Sequence, residues 1–174
     1  MAQPAPAHSD RLIAAMLTTR AAGQPRPLFQ AVDAALEAEI GRIFCTFLLI
    51  HPDGARERLY TSTPETYPLG ARTPLIGTAA ADPKLGRGYP FLADGMAEIR
   101  KRYSTSDLLE KLGCSALANI PVTHDAALIG LVNLGTREGT YGPAQLERAG
   151  QYATLLGPTF ALLLAARYPK SASG

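Results

Sequence analysis

The 174-residue chain has no tryptophan, two cysteines and three histidines, and only 18% of its residues carry charge. The cysteines, Cys45 and Cys114, lie far apart, so they make neither a disulfide framework nor a CxxC zinc signature. Lys and Arg are scattered and the net charge is +2. No basic stripe can track a phosphate backbone, which argues against nucleic acid as a partner. The Gly-rich phosphate loop, the HExxH zinc helix and the Gly-x-Ser-x-Gly elbow are all missing, which disfavours a hydrolase built on those motifs. The first ten residues lack the basic and apolar regions of a secretory signal. The longest apolar run, Leu155 to Ala166, falls short of the roughly 20 residues that span a bilayer. A reducing cytoplasm and no membrane partner are therefore expected, and no internal repeat is found.

What remains is enough apolar residue, 47%, to fill one core, in a length that suits one domain. Residues 1–27 read as a Pro/Ala-rich tail and a short helix, from Ser9 or Asp10 to about Ala22. The main domain runs over 28–168, and 169–174 is expected to be a disordered tail. A second helix over Leu28 to Ile40 follows from the spacing of Leu28, Phe29, Val32, Leu36 and Ile40, with Gly41 ending it. Arg42 to Ile50 is a near-continuous β-prone run, the pattern of a strand covered on both faces. The turn His51-Pro52-Asp53-Gly54 leads into a polar strand, Arg56 to Ser62, whose charges suggest a sheet edge. Thr63 to Gly88 is rich in Pro and Gly and reads as a long excursion with one short helix near Gly77 to Asp82. A short strand follows at Tyr89 to Ala93. Helices are expected from Asp94 to about Tyr103 and over Asp107 to Leu112, the second capped by Ser104 or Ser106. A second hairpin follows, Ser115 to Val122 and Leu128 to Gly135. A long helix then starts at Pro143, and Gly157-Pro158 is expected to kink it. Hairpins make antiparallel sheets, so the fold class is α+β: five to six strands, terminal helices on one face, the crossover on the other.

The candidate chemistry is sparse. Asn119 and Asn133 sit in paired strands among apolar residues, where an amide needs hydrogen-bond partners. A ligand could supply them, or the crossover's backbone could. Tyr60, Tyr67, Phe91 and Tyr103 either line a pocket or anchor the crossover. Cys114, after Gly113 at a strand start, is a nucleophile candidate or a small buried residue; His124 lies in a turn. Cys45 reads as core. Arg100, Lys101 and Arg102 form a solvated helix face or, more sharply, a clamp for an anion.

The segment Gly113 to Val122, with Val122 closing its strand, followed by Leu128-Ile129-Gly130-Leu131-Val132-Asn133-Leu134, resembles the GAF domain, a ligand-binding sensor module related to PAS domains. The likeness covers about Leu28 to Ala166. Thr61 to Pro64, Tyr67-Pro68, Leu112 to Cys114, Asn119 with Pro121, and Asn133-Leu134 are similar to a group of small bacterial stand-alone GAF proteins. The resemblance implies a pocket on the sheet face opposite the terminal helices, closed by the crossover, for a small-molecule ligand. No cofactor is specified. With no kinase, cyclase or helix-turn-helix segment in the sequence, signalling is expected through a partner or self-association. A homodimer is expected through Leu12, Met16, Leu28, Val32, Leu156, Phe160 and Leu163. Ile76 to Ala81 is similar to a Cys-Gly-Thr-Ala segment of the free methionine-R-sulfoxide reductases, a GAF group that is enzymatic. Ile76 stands where that family has cysteine, so the thiol pair of a sulfoxide cycle is missing. The covalent bilin signature, a Cys-His dipeptide, and the Asn-Lys-x-Phe-Asp-Glu motif of the cyclic-nucleotide group are also absent. The preferred reading is a non-catalytic sensor. The alternative is a thiol enzyme using Cys114, with His124, on a small carbonyl or sulfur substrate.

Overall fold

A computed structural model of the chain describes residues 6–74 and 82–169. Helix α1 is His8–Leu17, extended by a 3-10 turn at Thr18–Arg20, and α2 is Arg26–Ile40. Strands β1 (Phe44–Ile50) and β2 (Ala55–Thr61) form the first hairpin. The crossover holds β3 (Arg72–Pro74), α3 (Pro83–Gly86), β4 (Phe91–Asp94), α4 (Met96–Arg102) and α5 (Ser106–Lys111). Strands β5 (Ala116–His124) and β6 (Ala127–Thr136) form the second hairpin, and α6 is Pro143–Arg167. The six strands make one antiparallel sheet in the order β3-β2-β1-β6-β5-β4.

The two faces of this sheet have different cores. On one, α2 and α6 pack Leu28, Phe29, Val32, Leu36, Leu156 and Phe160 onto Cys45, Phe47, Leu49, Ile120, Val132 and Leu134. On the other, the crossover packs Leu85, Ile99 and Leu109 over Phe44, Leu48, Leu117 and Leu131. This double cover is why β1 is apolar at almost every position rather than at alternate ones. Glycine permits the closest approaches. A Cβ on Gly135 would lie 2.1 Å from the Phe44 ring, so that ring lies flat across β6. A Cβ on Gly130 would lie 2.3 Å from the Phe160 ring on the other face.

Several sequence expectations need correction. The polar strand β2 is not the edge: the three-residue β3 pairs with it through Ala55, Arg56 and Glu57. The α1 helix has no side-chain cap from Ser9 or Asp10, since it already begins at His8. His8 bonds Glu39 and Gln151, which ties α1 to α2 and α6. Asp94 ends β4 instead of capping α4, and Thr105 precedes α5 without a side-chain cap. Pro158 lies inside α6, which continues as one helix past it; a Cβ at 157 would meet the Thr123 carbonyl oxygen at 2.9 Å, so glycine lets α6 close on the end of β5. The expected helix near Gly77 to Asp82 falls largely outside the described residues, as do Ile76 to Ala81 and most of the expected tails.

The largest correction concerns the expected dimer face. Leu28, Val32, Leu156 and Phe160 are at most 1% exposed, because the chain's own sheet covers them. The apolar side chains left outside on the terminal helices are Ile13, Met16, Leu17 and Leu162. Helix α6 is long and apolar enough to cross a membrane by length and composition, yet Tyr152, Ala153, Leu156 and Phe160 on its inner side belong to the core.

Candidate functional site

Between the crossover and the sheet lies a cavity of about 460 Å³, within the range of small-molecule sites. Its floor is built from side chains that share one face across four strands: Phe44, Thr46 and Leu48 on β1, Asn133 on β6, Leu117 and Asn119 on β5, and Arg56 and Arg58 on β2. Tyr67, Thr73, Tyr103, Ser104, Thr105 and Leu109 wall it from the crossover side.

A polar chain crosses this floor. Asn119 and Asn133 are directly paired, and Asn119 Nδ2 donates to Asn133 Oδ1 at 2.5 Å. Asn133 Nδ2 donates to Thr46 Oγ1 at 3.3 Å. Tyr103, just after α4, donates its phenol proton to Asn119 Oδ1 at 2.5 Å. The two amides thus satisfy one another and fasten the crossover to the sheet, while both line the cavity. Burial pushes the Tyr103 and Tyr67 phenols above their ordinary range, so both stand as neutral donors.

The cations were missed from the sequence. Strict alternation from Arg56 would put Arg58 and Tyr60 on the same side. Arg56 and Arg58 do share the cavity face, opposite Ile50 and Leu48. A β-bulge then intervenes: Phe47 pairs with Tyr60 while Leu48 pairs with Arg58, leaving Leu59 as the extra residue. Tyr60 is turned to the helix face, stacked on Phe47 at 4.9 Å, with its hydroxyl on Asp33 Oδ2 at 2.8 Å. There it borders a second cavity of about 640 Å³ with Phe29, Asp33 and Arg42. Tyr60 is therefore remote from Asn119.

Phe91 lies beside Asn119 on the neighbouring strand, under Arg102, whose guanidinium sits 5.2 Å from the ring centre. It packs the crossover and does not border the cavity. Two of the three cations in the basic run on α4 are already paired: Arg100 to Glu110, and Arg102 to Glu98 and Asp82.

Cys114 is 3% exposed, donates to the Ala116 carbonyl and does not border the cavity. Burial pushes its thiol up to about 11. His124 ends the strand that Cys114 precedes, about 3.3 Å of rise per residue away along β5, so the two do not meet. Cys45 faces the helical core, and burial raises its thiol further. At pH 7.5, iodoacetamide should label Cys114 in the folded protein roughly a hundredfold slower than in the urea-unfolded chain, because thiolate is the reactive form. Equal rates, read by mass spectrometry, would mean an accessible thiolate.

No protein-family model and no curated protein matches the chain. Solved structures do. It is similar to the phycocyanobilin-bound GAF domain of a cyanobacterial phytochrome, with a TM-score of 0.70 and 16% identity over 95% of this chain and 99% of that one. It is similar to the chromophore-binding domain of a Stigmatella aurantiaca bacteriophytochrome, at 0.64 and 14% over 92% of this chain. A third is the chromophore-binding domain of an unusual bacteriophytochrome from R. palustris, at 0.67 and 12% over 91%. This chain spans 62% of the length of both bacteriophytochrome domains. The resemblance read from the motifs thus holds in three dimensions: the fold is the GAF fold.

Proposed function

We propose that this GAF-fold chain is a small-molecule sensor or regulatory module without catalysis, whose ligand lies between the crossover and the sheet. The observation that carries this is the polar chain Tyr103–Asn119–Asn133–Thr46 at the floor of a 460 Å³ hollow. A crossover that only needed covering could be filled with hydrocarbon; amides on central strands cost desolvation and are kept where their remaining hydrogen-bonding capacity is used. The cyanobacterial phytochrome neighbour is phycocyanobilin-bound, and the two bacteriophytochrome neighbours are chromophore-binding domains. Here the only two cysteines stand away from the cavity, so a ligand would be held without a covalent thioether.

The same segment supplies the means of transmission. Tyr103 joins a ligand-contacting amide to the α4–α5 connection, so occupancy would bias the crossover's packing. Self-association would use Ile13, Met16, Leu17 and Leu162 rather than the buried stripe.

The test is a thermal-shift screen of the whole chain against metabolite classes, with light scattering on the apo and liganded forms. A ligand at 100 times its Kd should stabilise by about 2.7 kcal/mol. For a chain of this size that is a rise of about 5–10 °C. No shift from any class would remove the sensor reading.

A further inference from the structure

The cavity's charge is one-sided. Arg56 and Arg58 both border it, and neither guanidinium has a carboxylate within 4 Å among the described residues. Each is held by one backbone carbonyl, Arg56 by Pro74 at 3.2 Å and Arg58 by Pro68 at 3.0 Å. Each also leaves a buried Nε–H without an acceptor. The segment beyond Pro74, residues 75–81, contains no acidic residue in its sequence.

The chain's other arginines treat their charge differently. Arg42, Arg72, Arg100, Arg102 and Arg167 are paired with carboxylates. Those without such a partner, such as Arg87, Arg137 and Arg148, are exposed. Arg56 and Arg58 alone among the described arginines are half-buried and lack an acidic partner. Burial lowers the affinity of both for a proton, and for Arg56 the Arg58 charge adds to this. Guanidinium nevertheless stays charged in proteins. Two like charges held side by side on one strand, partly out of water, form an electrostatic deficit that an anion would relieve.

We infer that the ligand is a small organic anion, whose carboxylate or phosphate group is received by Arg56 and Arg58. This rests on the reading of the cavity as a ligand site. Guanidinium suits both oxyanions through paired N–H donors. Arg58 is already oriented, stacked over the Tyr67 ring at 5.0 Å. The remainder of the molecule lies toward Leu48, Leu109, Leu117 and Phe44, with the Asn119–Asn133 amides and the Ser104 and Thr105 hydroxyls available to its polar atoms. The ligand thus has a charged head and a largely apolar body of moderate size.

The experiment uses the whole chain at fixed ionic strength and a panel in three arms: organic carboxylates, phosphate monoesters, and the neutral amides and alcohols of the same carbon skeletons. Calorimetry then compares wild type with Arg56→Gln and Arg58→Gln, and with Arg58→Lys, which keeps the charge but not the fork. Circular dichroism and melting establish that each variant folds. Hits should come from one of the anionic arms, which identifies the head group. They should weaken by about tenfold or more in each Gln variant, and the neutral isostere should bind weaker by a similar factor. Hits confined to the neutral arm, or anions that bind the Gln variants as tightly as wild type, overturn the inference while leaving the sensor reading intact. Silence in all three arms overturns both. If both Gln variants fail to fold, the comparison of each anion with its neutral isostere on wild type decides alone, equal affinity counting against the inference.

Discussion

Gly130→Ala should be among the most damaging single-methyl changes available in this chain. The added Cβ would stand 2.3 Å from one Phe160 carbon and 2.7 Å from the Leu48 carbonyl oxygen. Neither can retreat cheaply. Phe160 is fully buried, edge-on to Phe29 at 6.0 Å, and the Leu48 carbonyl belongs to the central β1–β6 ladder. Overpacking of this kind costs about 3 kcal/mol. At this length that is a melting temperature lowered by about 6–12 °C. Gly150→Ala is the internal control. It sits in α6 with nothing within 4 Å of its Cβ position, so it should gain about 0.5–1 kcal/mol from helix propensity. Thermal melts of the pair should move in opposite directions. A Gly130→Ala protein that melts like wild type would mean that α6 does not lie on β6 through Phe160.

Asn119→Leu should be nearly as costly, for an electrostatic reason. It leaves the Tyr103 hydroxyl without an acceptor and the Asn133 carbonyl oxygen without its donor. Each orphaned group costs about 1–3 kcal/mol, so a total loss of about 3 kcal/mol is expected in chemical denaturation. The loss should be local in one respect: hydrogen exchange should accelerate over α4 and α5, which Tyr103 ties to the sheet, more than in α2 or α6. Adding Tyr103→Phe removes one orphan, so the double variant should be less than additive. Additive losses would mean that the phenol and the amide do not communicate.

Much of this architecture was legible because its local signals agree. The continuous run at β1, the Asp-Gly turn and the Pro-initiated α6 each point to one element, and the strand-pair motifs around Pro121 and Gly130 point to the GAF fold. Asn119 and Asn133 were legible for a related reason, as amides set in otherwise apolar strands. Strand β3 was not, since three residues ending in proline have no periodicity. The terminal-helix stripes read as a dimer face because sequence shows that a face is apolar without showing how much of it the chain's own sheet covers. Arg56 and Arg58 read as edge charges because β3 and the roof of the cavity come from residues far along the chain. The basic run Arg100 to Arg102 drew attention instead, although Glu98, Glu110 and Asp82 neutralise most of it.

One extra residue at Leu59 has a consequence for how this protein can vary. Strand β2 addresses two separate compartments: before the bulge its outward-reaching side chains furnish the ligand chamber, and after it they furnish the helical interior. Excising Leu59 would remove the bulge and keep both addresses, since Arg58 already faces Leu48 and Tyr60 already faces Phe47. Straightening the strand with Leu59 retained would instead put the phenol on the arginines' side and leave Phe47 without its stacking partner. A single-codon deletion there should therefore spare the chemistry of both rooms, whereas an exchange of Arg58 or of Tyr60, on either side of it, alters one and leaves the other untouched.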